Sequence, residues 1–385
     1  MRGYEDIVAV CPVTEAYVKR SEHGAAWFIG RVMAGLLRAS GLAKQVIDGL
    51  CLSSFSLAPD TAVAMTQHMG LCPRFLEWIP TGGACGIMAL RRAARAVQAG
   101  DAEVVACIAG DTANADSFRD LLGAFSSFSR DHVYPYGAGG PNASFALITQ
   151  SYMRMFGATR EDFGRICVAQ RQNAQRNPAA LLRGALTMED YLAARPVATP
   201  IHLYDCVMPC AGGDGFLVME RARAEGLHLP FVRILGAIER HNAYADDPVQ
   251  YRGGWTMDRD ALWSQAGIAP EDIDLMQSYD DYPVISMMQM EDLGLCEKGE
   301  APRFVRRHSL THDGSFPHNT GGGQLSCGQA GAAGGYLGLV EALRQLLRRA
   351  EGRQVARARH ALVSGFGMIN YDRGLCTAAA VLAAQ

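Results

Sequence analysis

The chain has 385 residues, 49% of them apolar and 19% charged, with a formal net charge of −3 and a pI near 6.4. A chain of this size and apolar content buries about 75% of its unfolded surface, which excludes the disordered and fibrous classes. The charge balance argues against a nucleic-acid partner, although only Lys19, Lys44 and Lys298 among the 36 basic residues are lysines.

Taken in chain order, strand-like runs alternate with helical patterns in an α/β rhythm. Ile7–Val10 reads as a strand and Ala26–Ser40 as a helix. Thr81-Gly-Gly-Ala-Cys85-Gly opens a second helix, with Ile87, Leu90, Ala94 and Val97 on one face and Arg91, Arg92 and Arg95 on another. Glu103–Ala109 and Phe145–Thr149 read as strands. Residues 111–200 hold little regular pattern and include the aromatic, Gly-rich tract Phe125–Pro141. Long excursions of this kind carry function or move. Further on, Ile273-Asp274 echoes Ile47-Asp48, and the strand-like His360–Gly365 echoes Glu103–Ala109, which suggests an internal duplication. The first half is drawn at 1–245 and the second at 246–385.

The densest signal is Asn319-Thr-Gly-Gly-Gly-Gln-Leu-Ser-Cys-Gly328 and the Gly- and Ala-rich run after it, which turns into a helix with Tyr336, Leu339, Val340, Leu343 and Leu347 at helical spacing. Glycine supplies unusual dihedrals and bare amide donors at such a helix start. Cys85 sits at the matching start upstream. A thiol there has its reference pKa of about 8.5 lowered by the helix dipole, which makes Cys85 the candidate nucleophile; the plain reading is a buried core cysteine. His132 is the one titratable residue of the aromatic tract placed to reach a site, against the plain reading of a solvated loop histidine. Asp280 and Asp281 are neighbours whose side chains face opposite ways, so no metal pair is expected. Gly328-x-x-Gly331-x-x-Gly334 lacks the order of a dinucleotide loop.

Neither a leader-like start nor a stretch of roughly 18 apolar residues occurs, so no membrane span is expected. The 11 cysteines without Cys-x-x-Cys spacing suit a reducing compartment without structural zinc, and the cytoplasm is the expected address.

These residues resemble the thiolase superfamily, most closely its sterol-carrier-protein thiolase branch. Gly82-Gly83-Ala84-Cys85-Gly86 is similar to the family's nucleophile turn, and Asn319 to Gly328 to its Asn-x-x-Gly-Gly loop, with Gln329 where the family carries a catalytic His. Tyr204-Asp205-Cys206 with Asp214-Gly215 resembles another element of the branch. Tyr279-Asp280-Asp281-Tyr282 matches its His-Asp-Cys-Phe quartet, with Tyr279 for the His and Asp281 for the Cys. The resemblance implies a thiolase fold of two similar halves in five α-β-α-β-α layers, and a homodimer joined through Glu103–Ala109. It implies that the loop excursion covers the pocket and helps bind coenzyme A, and that the Cys85 and Gly365 amides form an oxyanion hole. The second catalytic Cys falls near Val363, where nothing can act as a base. His318 is a secondary candidate for the missing base, and Asn319, Gly322 and Gly323 are expected to line the substrate.

Gln329 can polarise a thioester carbonyl but takes no proton at neutral pH. Tyr279 can act on a substrate oxygen, and tyrosine at this point resembles the thiolase-like steroid side-chain retro-aldolases and an acetyltransferase subunit, relatives that work with a small partner protein. Three readings follow: an acyltransferase passing an acyl group from a coenzyme A thioester through Cys85, which the sequence favours; a retro-aldol lyase using Tyr279; and a non-catalytic acyl-CoA-binding subunit. None calls for a bound cofactor. The resemblance leaves room for a small OB-fold/zinc-ribbon partner that binds acyl-CoA.

Overall fold

A computed structural model describes residues 3–113, 126–138, 140–371 and 373–385. Its strands are β1 (Ile7–Val18), β2 (Gly49–Ser53), β3 (Phe75–Trp78), β4 (Val104–Thr112), β5 (Pro196–Ala198), β6 (Ile201–His202), β7 (Ala211–Glu220), β8 (Phe231–His241), β9 (Leu275–Gln277), β10 (His360–Asn370) and β11 (Arg373–Ala384). All but the small β5–β6 ladder join one nine-stranded sheet in the order β3-β2-β4-β7-β1-β8-β11-β10-β9.

That order is a duplication written in topology. The run β2-β4-β7-β1 is repeated as β9-β10-β11-β8, and the halves meet where β1 pairs antiparallel with β8, Ala9 opposite Val232. The echo read from sequence is a repeated contact. Asp48 accepts from the Glu103 and Val104 amides at the start of β4, and Asp274 accepts from the Arg359 and His360 amides at the start of β10. Arg74 pairs with the first carboxylate and Arg357 with the second. In that order β8 holds the place in the second repeat that β1 holds in the first, pairing with β11 as β1 pairs with β7.

Both faces of the sheet are buried, and the period of two along each strand sorts residues into separate cores. Val104, Ala106 and Ile108 of β4 face the helix Ala25–Ser40, whereas Val105, Cys107 and Ala109 face the helices Cys85–Ala99 and Gly334–Leu346. On the second half, Ala379 and Val381 face Trp255 and Leu262 of the helix Trp255–Ala266, while Ala378 and Ala380 face the two central helices. Outer helix, sheet, paired central helices, sheet and outer helix make the five layers. The arginine face of the Cys85 helix locks it across the junction: Arg92 grips Glu239 of β8 with bonds of 2.9 and 2.7 Å.

Two expectations change. The segment Glu103–Ala109 was to pair copies of the chain, but β4 lies between β2 and β7, and the end of the sheet is β3. Phe145–Thr149 is not a strand but the middle of the helix Pro141–Phe156, which has Pro141 in its first turn and a left-handed Gly157 at its end. The excursion at 111–200 is more regular than its sequence pattern. It holds the helices Ser127–His132, Pro141–Phe156, Arg160–Gln175 and Met188–Ala193, and capping boxes at Thr159/Asp162 and Thr187/Asp190 start the last two. Asp162 also takes both 2.6 Å bonds of Arg306, tying the excursion to the second half. Phe125 and Gly139 of the aromatic tract lie outside the described residues. No helix among the described residues is long and apolar enough to cross a membrane.

Candidate active site

The two Gly-rich helix starts do converge. A Cβ on Gly86 would sit 2.3 Å from the Gly335 carbonyl, and one on Gly335 would sit 2.8 Å from the Cys85 sulfur, so only glycine allows the central helices to approach this closely. Gly365 of β10 packs on the same turn, 2.6 Å from the Gly83 carbonyl by the same measure. The cost of that closeness falls on Cys85. Its thiol is fully buried and donates to the Ala332 carbonyl at 3.2 Å. Burial pushes its pKa up to about 12, against the lowering expected of a helix start, because desolvation of a thiolate outweighs the dipole.

A cavity of about 370 Å³ opens beside this turn. Neither Cys85 nor Gly365 lines it. Tyr279, Asp281 and Gln329 do, within a mostly apolar wall that includes Phe145, Val207, Phe366 and Met368. Tyr279 follows β9 in a segment that Asn319 and Gln289 pin: the Ser278 amide donates to Asn319 Oδ1 at 2.9 Å, and Gln289 Nε2 donates to the Tyr279 carbonyl at 2.7 Å. The ring lies flat against Gly83, where a Cβ would come within 2.1 Å of it.

The phenol donates to Asp281 Oδ2 at 2.8 Å. Burial and the nearby Asp281 carboxylate raise the Tyr279 pKa well above its usual value, while the Gln329 side chain beside the phenol acts in the opposite sense. Asp281 is raised to about 7, first by burial and further by Asp280, against the Tyr279 hydrogen bond. Among the described residues, its Oδ1 and the Gln329 Oε1 are buried without a hydrogen-bond partner. A buried carboxyl that titrates near neutrality, touching a phenol at a cavity wall, is a proton-transfer arrangement.

The other sequence candidates take supporting places. Asn319, Gly322 and Gly323 form the turn behind Tyr279; Asn319 has φ +43 and Gly322 φ +106, and a Cβ on Gly323 would meet Asp280 at 2.1 Å. None of the three lines the 370 Å³ cavity. Asp280 faces away from Asp281 and accepts from the Gln324 and Leu325 amides at 3.0 and 3.3 Å, so the neighbouring carboxylates point apart. His318 is fully buried at 2.8 Å from the Ser278 hydroxyl, and burial lowers its pKa to about 3. It is a neutral, packed imidazole away from the cavity wall. His132 ends its helix exposed, with Nδ1 3.0 Å from the Phe128 carbonyl, and also lies off the wall.

Two functional features escaped the sequence reading. The first is Asp281, two residues beyond Tyr279, which the chain places on the same cavity wall with its carboxylate on the phenol. The second is Asn142, at the start of the helix Pro141–Phe156, whose Oδ1 accepts from the Tyr282 hydroxyl at 2.5 Å in the same cavity.

Comparisons with known proteins bear on the family and the fold. Residues 250–377 match the thiolase C-terminal domain-like family. The chain is 32% identical to the 17-hydroxy-3-oxo-4-pregnene-20-carboxyl-CoA lyase of Mycobacterium tuberculosis over 85% of its length and 88% of that protein's. It is 30% identical to a steroid side-chain-cleaving aldolase of Thermomonospora curvata over 81% of this chain and 83% of the relative. The solved Ltp2-ChsH2(DUF35) aldolase superposes with a TM-score of 0.82 and 26% identity, covering 99% of this chain and 98% of that one. The chain therefore belongs to the thiolase superfamily, within the branch built around the sterol-carrier-protein thiolases.

Proposed function

We propose that the protein is a retro-aldol lyase that cleaves a β-hydroxyacyl-CoA bearing an apolar ring at the carbinol carbon. The observation that carries this reading is the Tyr279–Asp281 pair, joined at 2.8 Å on the cavity wall, whereas the buried Cys85 thiol does not line that cavity. The names of the lyase and aldolase relatives support it. The acyl-transfer reading that the sequence favoured has less support, because an acyl-cysteine needs a thiolate that a substrate can reach.

In the proposed reaction the substrate hydroxyl gives its proton to the Tyr279 oxygen as the phenol proton passes to Asp281. The bond between the carbinol carbon and the α-carbon breaks, its electron pair moves into the thioester enolate, and a ketone leaves. The proton then returns through Tyr279 to the α-carbon, which leaves an acyl-CoA and the starting enzyme. Asp281, raised to about 7, is matched to accept and return a proton near neutral pH. Gln329 holds the phenol oxygen in place.

A DUF35-type partner, of the kind named with the structural neighbour, is part of this reading, as are a cytoplasmic setting and a homodimer formed along the β3 edge, where Phe75, Leu76 and Trp78 are half-buried. The test is turnover of 17-hydroxy-3-oxo-4-pregnene-20-carboxyl-CoA, with the chain alone and with a DUF35-type partner, read as ketone and acyl-CoA by mass spectrometry. Activity lost in Tyr279→Phe supports the reading. A stable acyl adduct on Cys85 without cleavage refutes it.

A further inference from the structure

Retro-aldol cleavage puts a negative charge on the thioester oxygen, and the Tyr279–Asp281 pair is occupied with the hydroxyl proton, so a separate, fixed donor is needed where that charge develops. Among the described residues, three side chains with N–H donors line the cavity: Asn142, Arg195 and Gln329. Arg195 is exposed, and the Gln329 side chain lies beside the Tyr279 phenol, on the proton-transfer side of the wall. Asn142 is different. Its Oδ1 is taken by two donors, the Tyr282 hydroxyl at 2.5 Å and the more distant Cys206 thiol at 3.8 Å, which fixes the amide orientation and turns Nδ2 away from both. Tyr282 is itself held, buried and stacked on Phe145 with ring centroids 4.1 Å apart. Among the described residues no hydrogen bond is made by the Asn142 nitrogen.

We propose that Asn142 is the amide donor to the substrate's thioester oxygen, preorganised by Tyr282 and Cys206 to stabilise the enolate released when the carbon–carbon bond breaks. This rests on the retro-aldol reading. It adds a catalytic residue outside the Tyr279–Asp281–Gln329 wall, supplied by the helix that the sequence pattern had suggested was a strand. No proton moves at Asn142; it contributes a hydrogen bond that strengthens as the carbonyl oxygen becomes an enolate oxygen.

Two assays on the full chain, run alone and with a DUF35-type partner, separate this assignment from the reaction it serves. Cleavage of 17-hydroxy-3-oxo-4-pregnene-20-carboxyl-CoA reads the whole reaction. Exchange of the α-hydrogens of propionyl-CoA in deuterium oxide, followed by mass spectrometry, reads enolate formation alone. Asn142→Ala and the equal-sized Asn142→Asp are each expected to lower kcat for cleavage and the exchange rate by about 10²-fold, with KM changed less than about threefold. Tyr282→Phe, which keeps the amide but frees its oxygen, is expected to lower both by about tenfold, and thermal melts verify folding of all three. If both Asn142 variants retain cleavage and exchange within about twofold of the parent, the assignment is overturned and the retro-aldol reading stands. If the parent exchanges but never cleaves, and exchange falls in the variants, the retro-aldol reading fails and the donor survives. A parent that does neither refutes both.

Discussion

Two reactive side chains flank the Gly82–Ala84 turn, and their surroundings differ in the one respect that decides their chemistry. Cys85 is closed in by the second helix start, its proton given to the Ala332 carbonyl and its pKa pushed up to about 12. Tyr279 stands on a 370 Å³ cavity with a carboxyl that titrates near 7 on its hydroxyl. They are near enough for the charge of one to raise the pKa of the other. The comparison teaches that position at a helix start is not sufficient for a nucleophile. The thiolate must also be solvated or paired, and glycines that bring two helices into contact remove the solvent as they remove the space.

Tyr279→Phe is the hardest strain on this contrast. Losing the hydroxyl that links substrate to Asp281 is expected to lower turnover by about 10³-fold, the usual worth of a positioned acid–base group. Retention of more than a tenth of the parent rate would return the chemistry to another wall of the cavity.

Asp281→Asn follows, at about 10²-fold. It carries a sharper signature in pH. If the carboxylate accepts the proton, log kcat/KM of the parent rises with unit slope up to about pH 7, where Asp281 ionises, and levels above it; the Asn variant loses that limb. Stability runs the other way. The folded pKa of Asp281 lies above the reference of about 3.9, so its contribution is complete below that value and is lost as pH rises to about 7. Urea midpoints across that window check the sign, since a parent that gains stability there relative to Asp281→Asn contradicts it.

Gly83→Ala acts on both regions at once. Its methyl would meet the Tyr279 ring at 2.1 Å and the Phe366 carbonyl at 2.3 Å, and overpacking of this kind costs about 1–3 kcal/mol. A lower melting temperature is expected together with lost turnover. An unchanged melt would mean that the turn shifts freely, and the contact between the helix starts would then not be the seal described.

Some of this was readable from residue order and some was not, for physical reasons. The duplication was visible at Asp48 and Asp274 because each carboxylate serves amides at the start of a later strand, a local need that fixes residue type. The glycine-lined starts were visible because close backbone contact admits only one residue. The helix Pro141–Phe156 was missed because Phe145–Thr149 is a short apolar run that suits either structure, and the punctuation that decides it, Pro141 and Gly157, lies outside that run. The closure of Cys85 was not readable at all, since its acceptor Ala332 is 247 residues away and no local pattern reports a packed carbonyl. Tyr279 was found from its place in the quartet, but Asp281 became its partner only when the fold put both on the cavity wall.

The smallest expected effect is the most discriminating. Cys85→Ala removes one buried sulfur and its bond to Ala332, next to glycines that leave the neighbouring backbone little room to collapse inward. The loss in stability should be on the order of 1 kcal/mol, the usual worth of a buried hydrogen bond. Turnover should stay within about twofold of the parent, because that buried sulfur does not line the cavity. An acyl-cysteine route requires the opposite, near-complete loss with Cys85→Ala and persistence with Tyr279→Phe. The two substitutions assayed side by side on one substrate therefore rank the two regions whatever the absolute rates, and only one order is compatible with a sealed thiol.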